Sequence, residues 1–244
     1  MKKFGISEFQ QKKPTFHDNS TCKEILQVRV DSASSAEARE FTSNKIIYLI
    51  HAGKLYFISQ TRQVERIFYM YRLFIAIDFP DITKEHIADI CFGVPGANWT
   101  PMDQLHLTMR FIGEVDDNCY ARISYALSEV TAQNFDLTFA GVGTFRDKVI
   151  WVGIEKNEGL MLLKKEIEKS LAKIGIDPEQ RQFSPHITLA RLARSTSDRK
   201  IADFLSVNGL FRLEPIKVAC FYLYSSVLTP RGAFHRKENS YKLL

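Results

Sequence analysis

A four-residue pattern occurs twice in the chain, as His106-Leu107-Thr108-Met109 and again as His186-Ile187-Thr188-Leu189. Both read His-apolar-Thr-apolar, and each is followed closely by an arginine, Arg110 or Arg191. For the six histidines present, roughly 0.06 chance matches are expected and two have about a 0.002 chance, so accident explains the pair poorly. One His-x-Thr on a strand is ordinarily a β-favouring threonine beside a partly buried histidine. The second copy argues otherwise. Side chains on a strand alternate faces, so His106 shares a face with Thr108 and His186 with Thr188, roughly 6–7 Å apart along the backbone. Leu105, Leu107 and Met109, with Ile187 and Leu189, point the other way into a core. The chain must therefore fold so that two strands are anchored by one face and offer imidazole plus hydroxyl on the other.

Around these strands the periodicity changes repeatedly. Helical spacing covers Ile82 to Phe92, Asp117 to Val130 and Leu160 to Ile174, and a fourth helix is expected from a cap at Ser195 to Asp198 as far as Leu205. Strands are expected at Tyr71 to Asp78, Leu105 to Ile112, Phe135 to Val142, Val149 to Ile154, His186 to Leu192 and Val218 to Val227. The order lacks strict βαβ alternation, so the fold class is α+β with largely antiparallel sheets. Gly141-Val142-Gly143 is a lone Gly-x-Gly without a phosphate-loop context.

Residues 1–69 differ in texture: polar and Lys/Gln-rich at first, small through Ser32 to Ala36, then apolar without a sustained period. We place a domain boundary at Met70, with 1–69 as an N-terminal extension and 70–244 as the domain bearing both motifs. The net charge of +5 is concentrated in the extension, which holds 11 Lys/Arg against 7 Asp/Glu of the 33 and 28 in the chain. The remainder is nearly balanced, which suits gripping a strand end better than coating long nucleic acid. No apolar run approaches the roughly 20 residues of a membrane helix. The four cysteines show neither a disulfide framework nor metal-ligand spacing, so a cytoplasmic protein without metal or other cofactor is expected.

Two imidazoles on facing strands suit hydrolysis of a phosphodiester by in-line displacement, which needs a base beside the attacking water and an acid beside the departing oxygen, on opposite sides of phosphorus. Near neutral pH one ring can be neutral and the other protonated at little cost. The threonine hydroxyls and nearby arginines can donate to non-bridging phosphate oxygens. A strained five-membered cyclic phosphate is reactive enough that a metal ion need not be invoked. His17, His51, His86 and His235 lack such a context.

The residues resemble the two-histidine phosphoesterases, and within them the bacterial and archaeal RNA 2',3'-cyclic phosphodiesterases, also called 2'-5' RNA ligases or LigT-like proteins. The resemblance runs from Met70 almost to the C-terminus and rests on Arg72 to Ile77, on Leu105 to Val115, and on Phe183-Ser184-Pro185-His186-Ile187-Thr188-Leu189-Ala190-Arg191. It implies a bilobal fold with pseudo-twofold symmetry around a central cleft and helices outside. It also implies His106 as proton donor to the departing 3' oxygen, His186 as the acceptor that activates water, and Thr108, Thr188 and Arg191 as substrate-binding residues. The implied product is a 2'-phosphomonoester; an RNA 5'-hydroxyl in place of water would give a 2'-5' linkage. The expected partners are RNA ends or nucleotides carrying 2',3'-cyclic phosphate, met by a monomer. A phosphodiesterase for another small cyclic phosphate and a non-catalytic RNA-end binding module are the alternatives. Phe183, Tyr222 and Tyr224 are unranked candidates for stacking on a base.

Overall fold

The computed structural model describes residues 41–43, 46–51, 54–59, 68–145, 149–229 and 232–244. Before Met70 four strands, β1 (Phe41–Ser43), β2 (Ile46–His51), β3 (Lys54–Ser59) and β4 (Phe68–Tyr69), pair in sequence as an antiparallel sheet. No sustained periodicity marks strands or helices there. Ile46-Ile47-Tyr48-Leu49-Ile50 and Leu55-Tyr56-Phe57-Ile58 are rich in β-branched and aromatic residues, the composition a strand favours, although they lack alternation. His17, the first polar stretch and Ser32 to Ala36 lie outside the described residues.

The rest is mixed α and β. Its strands are β5 (Tyr71–Ile77), β6 (Ala97–Trp99), β7 (Leu107–Val115), β8 (Phe135–Leu137), β9 (Phe139–Phe145), β10 (Val149–Ile154), β11 (His186–Leu192), β12 (Ile216–Val218), β13 (Cys220–Thr229) and β14 (Gly232–Lys242). The helices are α1 (Asp81–Ala88), α2 (Asp117–Ser128), α3 (Glu158–Lys173) and α4 (Asp198–Asn208). Asp116 and Asn157 cap α2 and α3 by accepting from the amides of Cys119 and Leu160, whereas Ser197 precedes α4 without a side-chain cap bond. No helix of the described residues is long and apolar enough to cross a membrane.

One large antiparallel sheet runs β14-β13-β5-β7-β11-β10-β9, with β6 pairing β11; β12 and β8 form a separate pair. Its two halves meet on a single rung, Leu107 opposite Ile187. The two motif strands therefore lie side by side rather than opposing one another across a gap, and the architecture keeps its two lobes because the sheet is continuous only through that rung. Leu107 and Ile187 are fully buried, together with Leu105, Met109, Leu189 and the inward faces of α2 and α3, in one core shared by both halves. Burying each such side chain is worth about 1.5–3 kcal/mol, which makes this rung a strongly fixed point of the fold.

A smaller apolar cluster occupies the other face of the first half: Phe74 and Ala76 from β5 with Tyr224 from β13. Residues on β5 thus alternate between two apolar environments, which explains why Leu73 to Ile77 reads as a continuous apolar run. The second cluster forms the floor beneath His106.

Candidate active site

The antiparallel rung at Leu107 and Ile187 determines what lies beside it. Side chains one position away point to the opposite face from these core residues, and the register sets His106 across from Thr188 and His186 across from Thr108. The two histidines occupy one diagonal of a rectangle and the two threonines the other, related by a local twofold axis through the rung. Diagonal neighbours on adjacent strands stand about 7–8 Å apart, a gap that accommodates a phosphate group between two imidazoles.

Both rings are held in the same way. Nδ1 of His106 lies 2.7 Å from the carbonyl oxygen of Gln104, and Nδ1 of His186 lies 2.8 Å from that of Ser184. A carbonyl can only accept, so each Nδ1 carries the hydrogen and each Nε2 remains to take or give a proton. The carbonyl comes from two residues upstream in both cases: a short 3-10 turn at Met102–Gln104 presents one, and the Ser184-Pro185 approach to β11 presents the other.

Beta-bulges then separate the two arginines. On β11, Ala190 pairs with Ile150 and Thr188 with Trp151, so Leu189 is the extra residue and the alternation shifts. Arg191, opposite Val149, is thereby returned to the face of His186 and Thr188, where it is exposed. On β7, Arg110 pairs with Ile75 and Thr108 with Ala76, leaving Met109 extra, and the same shift turns Arg110 toward the core. There its Nη2 donates to the carbonyl of Asp177 at 2.5 Å, and Nη1 lies 3.6 Å from the carboxylates of both Glu168 and Glu179. Lys164 completes this buried cluster, donating to Glu168 at 2.7 Å, to Glu179 at 3.0 Å and to the carbonyl of Met109 at 2.7 Å. Arg110 is a structural ion, while Phe111, opposite Phe74, occupies on the first strand the place that Arg191 holds on the second.

The surroundings of the two histidines differ. His106 is packed against Phe74 (ring centroids 5.0 Å), Tyr224 (6.1 Å) and His235 (5.4 Å). Burial pushes its imidazole down to about 4, against the Gln104 carbonyl, which works to raise it. His186 meets the edge of one ring, Phe145, at 4.7 Å, and Phe145 in turn leans on Trp151 at 5.3 Å. Trp151 lies flat over β9 because Gly143 has no side chain; a Cβ there would approach its ring to 2.2 Å. Beyond His106, burial acts to raise the Asp78 carboxyl, but bonds from Lys237 and Lys84 outweigh it and hold the group below its ordinary value.

Of the proposed stacking residues, Tyr224 is buried against Phe74 at 5.0 Å, Phe183 lies under the Lys164 ammonium at 5.0 Å, and Tyr222 carries Lys237 over its ring at 4.7 Å. Phe145 and Phe111 were not singled out, yet they are 36 % and 46 % exposed beside the site. His235 was also set aside, and β14 brings it against His106. No local pattern marked it, because β14 is a charged strand whose position follows from pairing with β13. Among the described residues, no group of three His, Cys, Asp or Glu is gathered so as to hold a metal ion.

Comparison with known proteins bears on the same region. A model of the 2'-5' RNA ligase superfamily matches residues 85–219, which include both motifs. The chain is 33% identical over 172 residues to an RNA 2',3'-cyclic phosphodiesterase of Archaeoglobus fulgidus, covering 68% of this chain and 96% of that protein. It is 32% identical over 179 residues to one from Thermotoga maritima, covering 68% and 91%. The crystal structure of Escherichia coli LigT complexed with 3'-AMP superposes with a TM-score of 0.59 at 26% identity, covering 71% of this chain and 98% of that one.

Proposed function

The chain belongs to the 2'-5' RNA ligase superfamily, and from that premise we propose that it hydrolyses RNA 2',3'-cyclic phosphate ends to 2'-phosphomonoesters by acid-base catalysis between His106 and His186. It is a hydrolase of RNA cyclic phosphates. The observation that carries the mechanism is the diagonal of carbonyl-clamped imidazoles on one face, with both Nε2 atoms left for proton transfer.

With phosphorus between the two rings, His186 Nε2 accepts a proton from water as its oxygen bonds to phosphorus. The bond from phosphorus to the 3' oxygen breaks, and that oxygen takes the proton from His106 Nε2. A 3'-hydroxyl and a 2'-phosphate result, and solvent resets the two rings. Thr108, Thr188 and Arg191 donate to the non-bridging oxygens, whose charge grows in the transition state. An RNA 5'-hydroxyl in the place of water gives a 2'-5' phosphodiester by the same transfers.

The lowered affinity of His106 for a proton needs an answer, since an acid must hold one. The phosphate supplies it. A unit charge about 4 Å away at an effective dielectric of about 20 contributes about 4 kcal/mol, or roughly 3 pKa units, enough to bring an imidazole at about 4 back to neutrality. Near neutral pH His106 is then charged when the anion is bound and neutral when it is not. Taken alone, its depressed value favours the reverse assignment, His106 as base and His186 as acid, and a substrate with a better leaving group separates the two.

The protein acts as a cytoplasmic monomer without a metal ion, and residues 70–244 suffice for folding and activity. The test is turnover of a nucleoside 2',3'-cyclic phosphate in EDTA, with the product isomer identified, by the full chain and by a chain begun at Met70. A 2'-phosphate from both fulfils the reading. Loss of folding or activity on starting at Met70 removes the dispensable-extension idea. Turnover of a mononucleotide but no oligonucleotide points to a different small cyclic phosphate, and binding without turnover by folded protein points to an RNA-end binding module.

A further inference from the structure

The described part of the chain has a third imidazole at the site. His235 sits on β14 opposite Ser226, two residues from Lys237, which pairs with Tyr224. Tyr224 pairs with Phe74, so His235 belongs to the sheet face that carries Phe74, His106 and Thr108. Its ring meets that of His106 at 5.4 Å with an interplanar angle of 87° and that of Phe74 at 4.9 Å and 73°. His235 makes edge contacts with both rings, and Phe74 meets His106 at 5.0 Å, so the three rings pack as a mutually contacting triad that resists rotation of His106. Gln104 fixes one ring nitrogen of His106, and these two rings fix its plane.

An aromatic hydrocarbon would brace His106 as well. His235 is instead half-buried with an Nδ1 that is shut from solvent and has no hydrogen-bond partner among the described residues. An unsatisfied buried nitrogen costs stability, and ionisation is what the imidazole adds to packing. The charged groups facing the pair are few: Asp103 from the 3-10 turn acts on His235, and Asp78 and Lys84 act on His106 together with His235 itself. Lys237, on the same strand as His235, is tied to Asp78.

Resting on the phosphodiesterase reading, we propose that His235 is a positioning residue for the reaction: it holds the plane of His106 and, as an ionisable neighbour, makes the two rings share one proton when phosphate is bound. Two imidazoles this close do not both charge readily, and their titration belongs to the pair. Burial also lowers the proton affinity of His235 itself. The proton brought in by a bound phosphate is therefore divided between the two rings, and sharing keeps it weakly enough held on His106 to be given to the leaving oxygen.

The experiment uses His235→Gln, which removes ionisation, and His235→Phe, which removes it while keeping the ring. The high-pH limb of kcat reports loss of the acid's proton in the substrate complex. It is measured beside nuclear magnetic resonance titration of the His106 ring in the full-length protein saturated with inorganic phosphate. In wild type the His106 curve is broadened by coupling. In both variants it becomes a single transition, moved upward together with the kcat limb by about 1 pH unit, roughly half the coupling of about 2 units between like charges at this spacing and an effective dielectric of about 20. Superimposable limbs and curves in wild type and His235→Phe overturn the proposal, for that is what packing alone predicts. Should His235→Gln fail to fold, His235→Phe decides. Absence of turnover by the wild type refutes the phosphodiesterase reading instead, and the phosphate titration still decides on the coupling.

Discussion

The strand that begins after His106 and the strand that begins with His186 carry the same four-residue pattern, the same carbonyl clamp and the same bulge one residue past the threonine, yet they place different groups around the histidine. The first is lined by Phe74, Tyr224 and His235 and turns its arginine into a buried ion cluster. The second stands beside Phe145 and returns its arginine to the surface of the cleft. In the proposed mechanism, what is shared positions two proton carriers about a phosphate. What differs lowers the proton affinity of one imidazole through burial and gives the other side a guanidinium. A symmetric scaffold would thus support an asymmetric reaction.

The shared part breaks first. His106→Ala and His186→Ala are each expected to lose about 10²–10⁴-fold in kcat/KM, the range for a lost acid or base, and steady-state assays with thermal melts check that folding survives. A large loss from one alone would end the paired account. At the seam, Leu107→Ala and Ile187→Ala are each expected to cost about 2–5 kcal/mol in urea unfolding, since each side chain is fully buried on the joining rung.

The two arginines sharpen the comparison. Arg110→Met strands Glu168 and Glu179 with one cation fewer and is expected to cost about 3–5 kcal/mol of stability, with kcat/KM of the remaining folded protein nearly intact. Arg191→Ala is expected to do the reverse: little change in unfolding, and roughly a 10- to 100-fold loss in kcat/KM from a missing charged hydrogen bond. Swapped outcomes would mean that the bulges do not set the faces as described.

A smaller effect separates the histidines in the free protein. The His106 imidazole sits at about 4 when folded, below its ordinary 6.5, so the folded state prefers it neutral. Its contribution to stability is fully present above about pH 6.5 and is lost as pH falls toward 4. Urea unfolding between pH 7 and 4.5 should therefore show a shallower loss in His106→Gln than in wild type, by on the order of 2 kcal/mol at the acid end. Identical slopes would contradict the burial of His106.

Much of this was legible in the sequence, for reasons particular to each element. Val149–Ile154 and His186–Leu192 form strands over the expected residues because their own alternation and composition suffice. The helix expected to reach Phe92 ends at Ala88, and Gly93 follows with a φ of 85°, a conformation that favours glycine. Phe135 to Val142 divides into two strands, β8 pairing β12 and β9 pairing β10, a choice made by distant partners. The opposite fates of Arg110 and Arg191 hang on one extra residue in each ladder, which depends on the register of β5 and β10. His235 was hidden for the same reason: its strand is Phe-His-Arg-Lys-Glu-Asn, polar on both faces, and only the order β14-β13-β5-β7 brings it to His106.

The measurement closest to the central claim is turnover of a nucleoside 2',3'-cyclic phosphate whose 3' bridging oxygen is replaced by sulfur, a leaving group that needs no proton. If His106 is the acid and His186 the base, the sulfur substrate restores most of the rate lost in His106→Ala and leaves His186→Ala inactive. Restoration in His186→Ala instead, or in neither variant, would contradict the division of labour between the two histidines.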